Sequence, residues 1–141
     1  MGANGCGWGP PPDTSRTLTV HQVMQSIHIL DGNTVKVQGY MATCGGYSCG
    51  LFASEHAHAE FWRIANDGNS KEDFPEFLSI GYDKTFDRKA GPLSRHYVVV
   101  TARVSDECRD MFGRIKCTDR ASDLIPIDIS LRSNPAVTSN A

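Results

Sequence analysis

A chain of 141 residues, 40% of them apolar and 21% charged, is long enough for one domain with its own core and is ordinary in composition for a folded globular protein. Its formal charge of −2 excludes a general attraction to nucleic acid or anionic lipid, so binding of either kind would have to be local. No apolar run approaches the ~18 residues of a membrane-spanning helix.

Residues 1–16 are rich in Gly and Pro, run through Gly9-Pro10-Pro11-Pro12-Asp13 and can bury little, which predicts a flexible tether. Cys6 stands in it without a local partner. It resembles the lipid-attached cysteine of a bacterial lipoprotein, although Ala3-Asn4-Gly5 matches poorly the residues that usually precede one; a free thiol in a disordered terminus is the plainer reading. Thr19 and Gln22 then have capping-box spacing, and Val20, Val23, Met24, Ile27 and Leu30 recur at helical spacing until Asp31-Gly32-Asn33. One amphipathic helix is expected, with His21 and His28 at the edge of its stripe.

The stretch from 34 to 54 is the most informative. Val35, Val37, Gly39, Met41 and Thr43 alternate with Thr34, Lys36, Gln38 and Tyr40, the period of a half-buried antiparallel strand. Gly39 in mid-strand predicts a bulge or sharp coil that lets the strand curl round a small barrel. Cys44-Gly45-Gly46-Tyr47-Ser48-Cys49 follows, and its glycines suit a tight hairpin that sets Cys44 opposite Cys49. Ser54 is placed to cap a short helix over 55–65, which would turn Phe61, Trp62 and Ala65 inward and leave Glu55, His58 or Glu60 partly in water.

A third strand is expected over 77–82, with Leu78, Ile80 and Tyr82 on one face, and then a short helical connector. Over 96–104 a long strand should turn Val98, Val100, Ala102 and Val104 inward and Tyr97, Thr101 and Arg103 outward. Cys108 and Cys117 bracket Met111-Phe112-Gly113, and 113–117 is a further candidate strand. Ile125, Ile127, Ile129 and Leu131 alternate with Pro126, Asp128, Ser130 and Arg132 in a last strand, where the proline favours an edge position. Residues 133–141 read as a disordered tail.

These elements predict a mainly β fold: a small five-stranded OB-like Greek-key barrel over 17–132, with an N-terminal helix and one or two short helical insertions. More narrowly, GYMATCGGYSCGLF, FLSIGY, HYVVVTARVSDEC and CTDRASDLIPIDI resemble segments of small OB-like proteins of bacterial cell envelopes, over roughly residues 19–132. The resemblance implies a barrel used for binding, with no activity attached.

Four of the five cysteines form two local pairs, Cys44 with Cys49 and Cys108 with Cys117. Two disulfides, one zinc site of four thiolates and reduced structural thiols are the alternatives. The wide spacing within each pair favours the disulfides over zinc, and neither pair has the CxxC form of a reactive dithiol. Disulfides suggest an oxidising compartment, and with the resemblance they imply the bacterial periplasm or cell envelope, which requires a leader beyond this sequence; the start at Met1-Gly2-Ala3 carries none, and without one the expected location is cytoplasmic.

His56 and His58 could share a metal on a strand but not on a helix, where they point roughly 160 to 200° apart. No HExxH and no nucleophile elbow accompanies them, so no metal, cofactor or catalytic residue is assigned and a solvated polar face is expected there. Candidate ligand contacts are Tyr40, Tyr47 and Tyr97, with Arg103 and Trp62 beside them. Aromatics near basic residues are also what an OB domain uses for single-stranded nucleic acid. Acidic Asp106, Glu107, Asp110 and Asp119 interleave with Arg103, Arg109, Arg114, Lys116 and Arg120, a pattern of solvated, internally paired charge that argues against a nucleic-acid groove. The expected function is a non-enzymatic envelope binding or interaction module of unknown ligand or protein partner; the alternative is a cytosolic domain that binds single-stranded nucleic acid.

Overall fold

A twelve-residue strand with apolar side chains at alternate positions can bury one face and pair along both edges, and the sheet is built outward from such a strand. The computed structural model describes residues 11–117 and 120–133. The tether through residue 10 with Cys6, Asp119, and the tail from 134 lie outside the described residues. In chain order the elements are β1 (Thr17–Thr19), α1 (Val20–Gln25), α2 (Ile27–Leu30), β2 (Thr34–Gly45), β3 (Ser48–Phe52), α3 (Glu55–Asn66), β4 (Phe77–Ser79), α4 (Lys84–Ala90), a 3-10 turn (Gly91–Leu93), β5 (His96–Val104) and β6 (Leu124–Leu131).

The fold is mainly β, one six-stranded sheet in the order β4-β3-β2-β5-β6, with β1 set beside β2. One edge of β2 pairs antiparallel with β5 from Thr34 to Met41. The other edge is shared, parallel with β1 up to Gln38 and antiparallel with β3 from Tyr40 onward. Gly39 lies at the changeover. A Cβ there would meet the Phe52 carbonyl oxygen at 2.6 Å and Leu51 Cγ at 2.8 Å, so the close approach of β3 demands the glycine. Gly39 keeps regular register with Val98, and the expected irregularity falls later, between Met41 and Cys44.

The capping box of α1 forms: Thr19 Oγ1 accepts from the Gln22 N–H at 3.1 Å, and Gln22 Oε1 accepts from the Thr19 N–H at 2.9 Å. The expected single helix is broken at Ser26, which leaves helical geometry. Both pieces still bury the stripe, through Val20, Val23, Ile27 and Leu30. These side chains meet Val35, Val37, Met41, Leu51, Leu78, Val98 and Val100 in one core.

Two strands depart from the expected alternation. The third stops at Ser79, because Asp83 Oδ1 accepts from the Phe86 N–H at 2.8 Å and starts α4; Tyr82 is therefore 66% exposed instead of sharing the face of Leu78 and Ile80. In β6 a bulge falls where Thr101 pairs with Asp128 and Ala102 with Pro126, which leaves Ile127 without a partner. The inward parity switches there, so Leu124 and Ile129 are buried while Ile127 is exposed. Pro126, with no N–H to give, sits at the bulge of an edge strand, as its chemistry requires. The candidate strand over 113–117 is reduced to one bridge, Arg109 to Ile115.

The edge strands β4 and β6 approach each other, joined by a parallel bridge from Ile80 to Leu124 and a 2.9 Å bond from the Gly81 N–H to the Leu124 carbonyl. Among the described residues no ladder closes the sheet into the expected five-stranded barrel, and β1 adds a sixth strand to the count. A buried ion pair occupies the gap instead. Arg109 Nε and Nη2 donate to the two oxygens of Asp123 at 2.7 and 2.6 Å, and Asp123 Oδ2 also accepts the Ser79 N–H at 2.8 Å. The two side chains are 6% and 0% exposed.

Removing one member of such a pair strands a charge in the interior, so Asp123→Ala should lower the free energy of unfolding by about 3–5 kcal/mol. The double variant Arg109→Met/Asp123→Leu should recover part of that loss, and urea unfolding of both checks the difference.

Candidate functional site

The outer face of the central strands is apolar at Tyr40, Ala42 and Phe52, and α3 lies across it. Ser54 starts that helix as expected, its Oγ accepting from the Ala57 N–H at 3.0 Å. Helical spacing then turns Ala57, His58 and Phe61 toward the sheet. Phe52 stacks on Phe77 at 5.2 Å between centroids and meets Phe61 edge-on at 5.6 Å. Phe61 touches Phe74 at 5.0 Å and Trp62 at 5.5 Å. Offset and edge-to-face contacts of this kind hold the helix in register on the sheet.

Beside this aromatic layer is a cleft of about 340 Å³. Phe52, Phe77 and Ser79 form its floor, and His58, Phe61 and Trp62 one wall. Tyr47, at the hairpin tip, and Ile115, Arg120 and Ala121, from the segment between β5 and β6, form the other. The hairpin is stapled by Cys44–Cys49, with Cα atoms 4.1 Å apart, and the crossing segment by Cys108–Cys117, at 5.0 Å. Both disulfides expected from the spacing are present.

Arg120 anchors the cleft's far wall. Its Nη1 and Nη2 each bond Asp87 at 2.8 Å, and its Nε donates to the Ile80 carbonyl at 2.7 Å. Further contacts reach the Gly46 and Gly81 carbonyls at 3.2 Å. One guanidinium thus ties the hairpin, the end of β4 and α4 to the crossing segment.

His58 is not the solvated residue that the sequence suggested. Its ring packs 5.1 Å from Phe52 and 5.9 Å from Tyr40, whereas His56 is exposed on another face, so no metal is shared between them. Trp62 Nε1–H donates to His58 Nε2 at 2.9 Å. The indole can only donate, so Nε2 is unprotonated and the ring is neutral, with its proton on Nδ1. Burial, aided by the positive charge of Arg95 and opposed by Glu55, pushes the His58 pKa down.

His28 is its opposite. Nδ1 lies 2.7 Å from an Asp106 carboxylate oxygen and Nε2 3.2 Å from the Asp110 carbonyl, two acceptors that together call for an imidazolium. The Asp106 hydrogen bond, working against burial, pushes its pKa up. This clasp ties α2 to the crossing segment outside the cleft.

The other candidate contacts are scattered. Tyr47 is 95% exposed and Trp62 52% exposed, both at the cleft. Tyr40 is 5% exposed beneath α3 and offers no free ring face; burial raises its pKa. Tyr97 packs on Tyr40 at 5.3 Å, its hydroxyl accepts the Glu55 N–H at 3.1 Å, and Arg132 lies over its ring at 4.5 Å. Arg103 is exposed on β5 and does not line the cleft. The interleaved charges are not paired with one another among the described residues: Asp106 takes His28, and Arg109 and Arg120 take Asp123 and Asp87 inside the protein. Asp87 and Asp123, their partners, carried no signal in the sequence, since each lies far along the chain from what it holds.

No protein-family model, curated protein or solved structure matches the chain.

A histidine whose pKa is depressed by folding contributes stability that is present above its ordinary value of 6.5 and lost as pH falls through the folded value. Acidification should therefore break the Trp62–His58 bond and change Trp62 fluorescence with a midpoint below 6.5. The transition, read in a Trp8→Phe background, should vanish in His58→Phe.

Proposed function

We propose that the chain is a non-enzymatic binding module of the bacterial cell envelope, built on an OB-type Greek key, with its ligand site in the aromatic cleft. The OB reading draws support from the pairing pattern: three consecutive strands β2-β3-β4, a helix α4, then β5 on the free edge of β2 and β6 returning toward β4. In that fold the face of the second and third barrel strands, together with the loops after the first and fourth, takes ligands. Here those parts are β3, β4, the Tyr47 hairpin and the crossing segment, and the cleft of about 340 Å³ lies among them.

That coincidence of cleft and topology carries the proposal. The two basic side chains lining the cleft are committed to structure, Arg120 to Asp87 and His58 to Trp62, which suits binding better than bond-making. The disulfides support an oxidising compartment. Burial of Tyr40 and capture of the Tyr97 hydroxyl weigh against a stacking platform for single-stranded nucleic acid.

The test is alkylation of protein taken from its native host under denaturing, non-reducing conditions, read by intact mass. Cys44, Cys49, Cys108 and Cys117 should be protected and should become reactive only after reduction. Four free thiols would place the protein in a reducing compartment and remove the envelope reading. Salt-sensitive binding of an oligothymidylate, weakened in Tyr97→Ala, would install the nucleic-acid alternative in its place.

A further inference from the structure

We infer that the cleft takes a neutral glycan, its sugar rings laid against Trp62 and Tyr47, an inference that rests on reading the cleft as the binding face. Charge comes first. Arg120 is 5% exposed and its donors are spent on Asp87 and on backbone carbonyls, while His58 is neutral. The lining therefore offers no uncompensated cation, and a phosphate or carboxylate entering it would lose water without gaining a partner.

The uncharged polar groups narrow the class further. Thr43, Ser48 and Ser79 line the cleft, and their hydroxyls make no hydrogen bond among the described residues. An acyl chain would desolvate them for nothing. A sugar ring, apolar on its C–H face and edged with hydroxyls, meets both demands: the exposed aromatic faces of Trp62 and Tyr47 for one, the free hydroxyls for the other.

Calorimetry on the full chain would use four probes at low salt: a chito-oligosaccharide of N-acetylglucosamine, an oligouronate, an oligothymidylate and decanol. The chito-oligosaccharide should bind saturably, with an affinity unchanged by added salt, and should bind roughly tenfold more weakly in Trp62→Ala and in Tyr47→Ala. Tyr47→Ala keeps the test valid should Trp62→Ala loosen α3, because that side chain is 95% exposed. Preference for the oligouronate or the oligothymidylate would overturn the inference. Binding of decanol alone, dependent on Trp62, would overturn the glycan while leaving the cleft as the binding face. Silence from all four probes would overturn both.

Discussion

The buried pair of Arg109 and Asp123 stands where two edge strands come together without forming a ladder. Ile80 and Leu124 make the one bridge between the two strands among the described residues, and any buried N–H or C=O beside it that the bridge does not pair would lack a partner. Asp123 accepts the Ser79 N–H and Arg109 reaches the Phe77 carbonyl at 3.4 Å, so the side-chain pair satisfies an edge that a strand would otherwise satisfy. Burying two charges costs several kcal/mol per ion, and only good geometry with saturated hydrogen bonding offsets it. Both conditions hold: the bonds are bidentate, and Arg109 also donates to the Gly113 carbonyl at 2.9 Å.

That last bond links the edge to the cleft. The segment from 105 to 123 would be a long loop without structure of its own, yet it is held at several points: by Arg109, by Arg120, by His28 and by the Cys108–Cys117 bridge. Each disulfide closes a short loop and in the chain-entropy picture contributes about 2–3 kcal/mol through the unfolded state. The arginines act on the folded state and decide where the segment lies. At its turn, Asp110 Oδ1 accepts the N–H groups of Phe112 and Arg114 at 2.8 and 2.9 Å, and Gly113 takes a positive φ of 80°. One wall of the cleft is thus preorganised, a condition for binding without a large ordering cost.

What could be read from the sequence was local. Alternation at the start of β2, the Thr19 box, the Ser54 cap and the two cysteine pairs each involve residues a few positions apart, and each is present, although from Gly39 to Ala42 every position of β2 is buried and Thr43 is exposed. The reading failed where parity or direction depends on a distant partner. The β6 bulge reverses the inward face because Ala102 takes Pro126 and skips Ile127, and nothing in an Ile-Pro-Ile alternation announces it. Gly39 was legible as special but not for the right cause, since the atom it avoids belongs to Phe52. The cleft suffered most. Asp87 meets Arg120 across 33 residues, and charges that look like a solvated pattern along the chain become interior anchors in space.

The consequence for the site follows from where the cations went. Fourteen lysines and arginines are ample for a basic groove, but the guanidinium that lines the cleft is closed off by Asp87 and the histidine that lines it is held neutral by an indole donor. Anion recognition needs donors left unpaired until the ligand arrives. In this protein those donors were used to build the wall, and the wall encloses aromatic rings and unengaged hydroxyls. A surface assembled in that way can select by ring shape and hydroxyl geometry, and by little else.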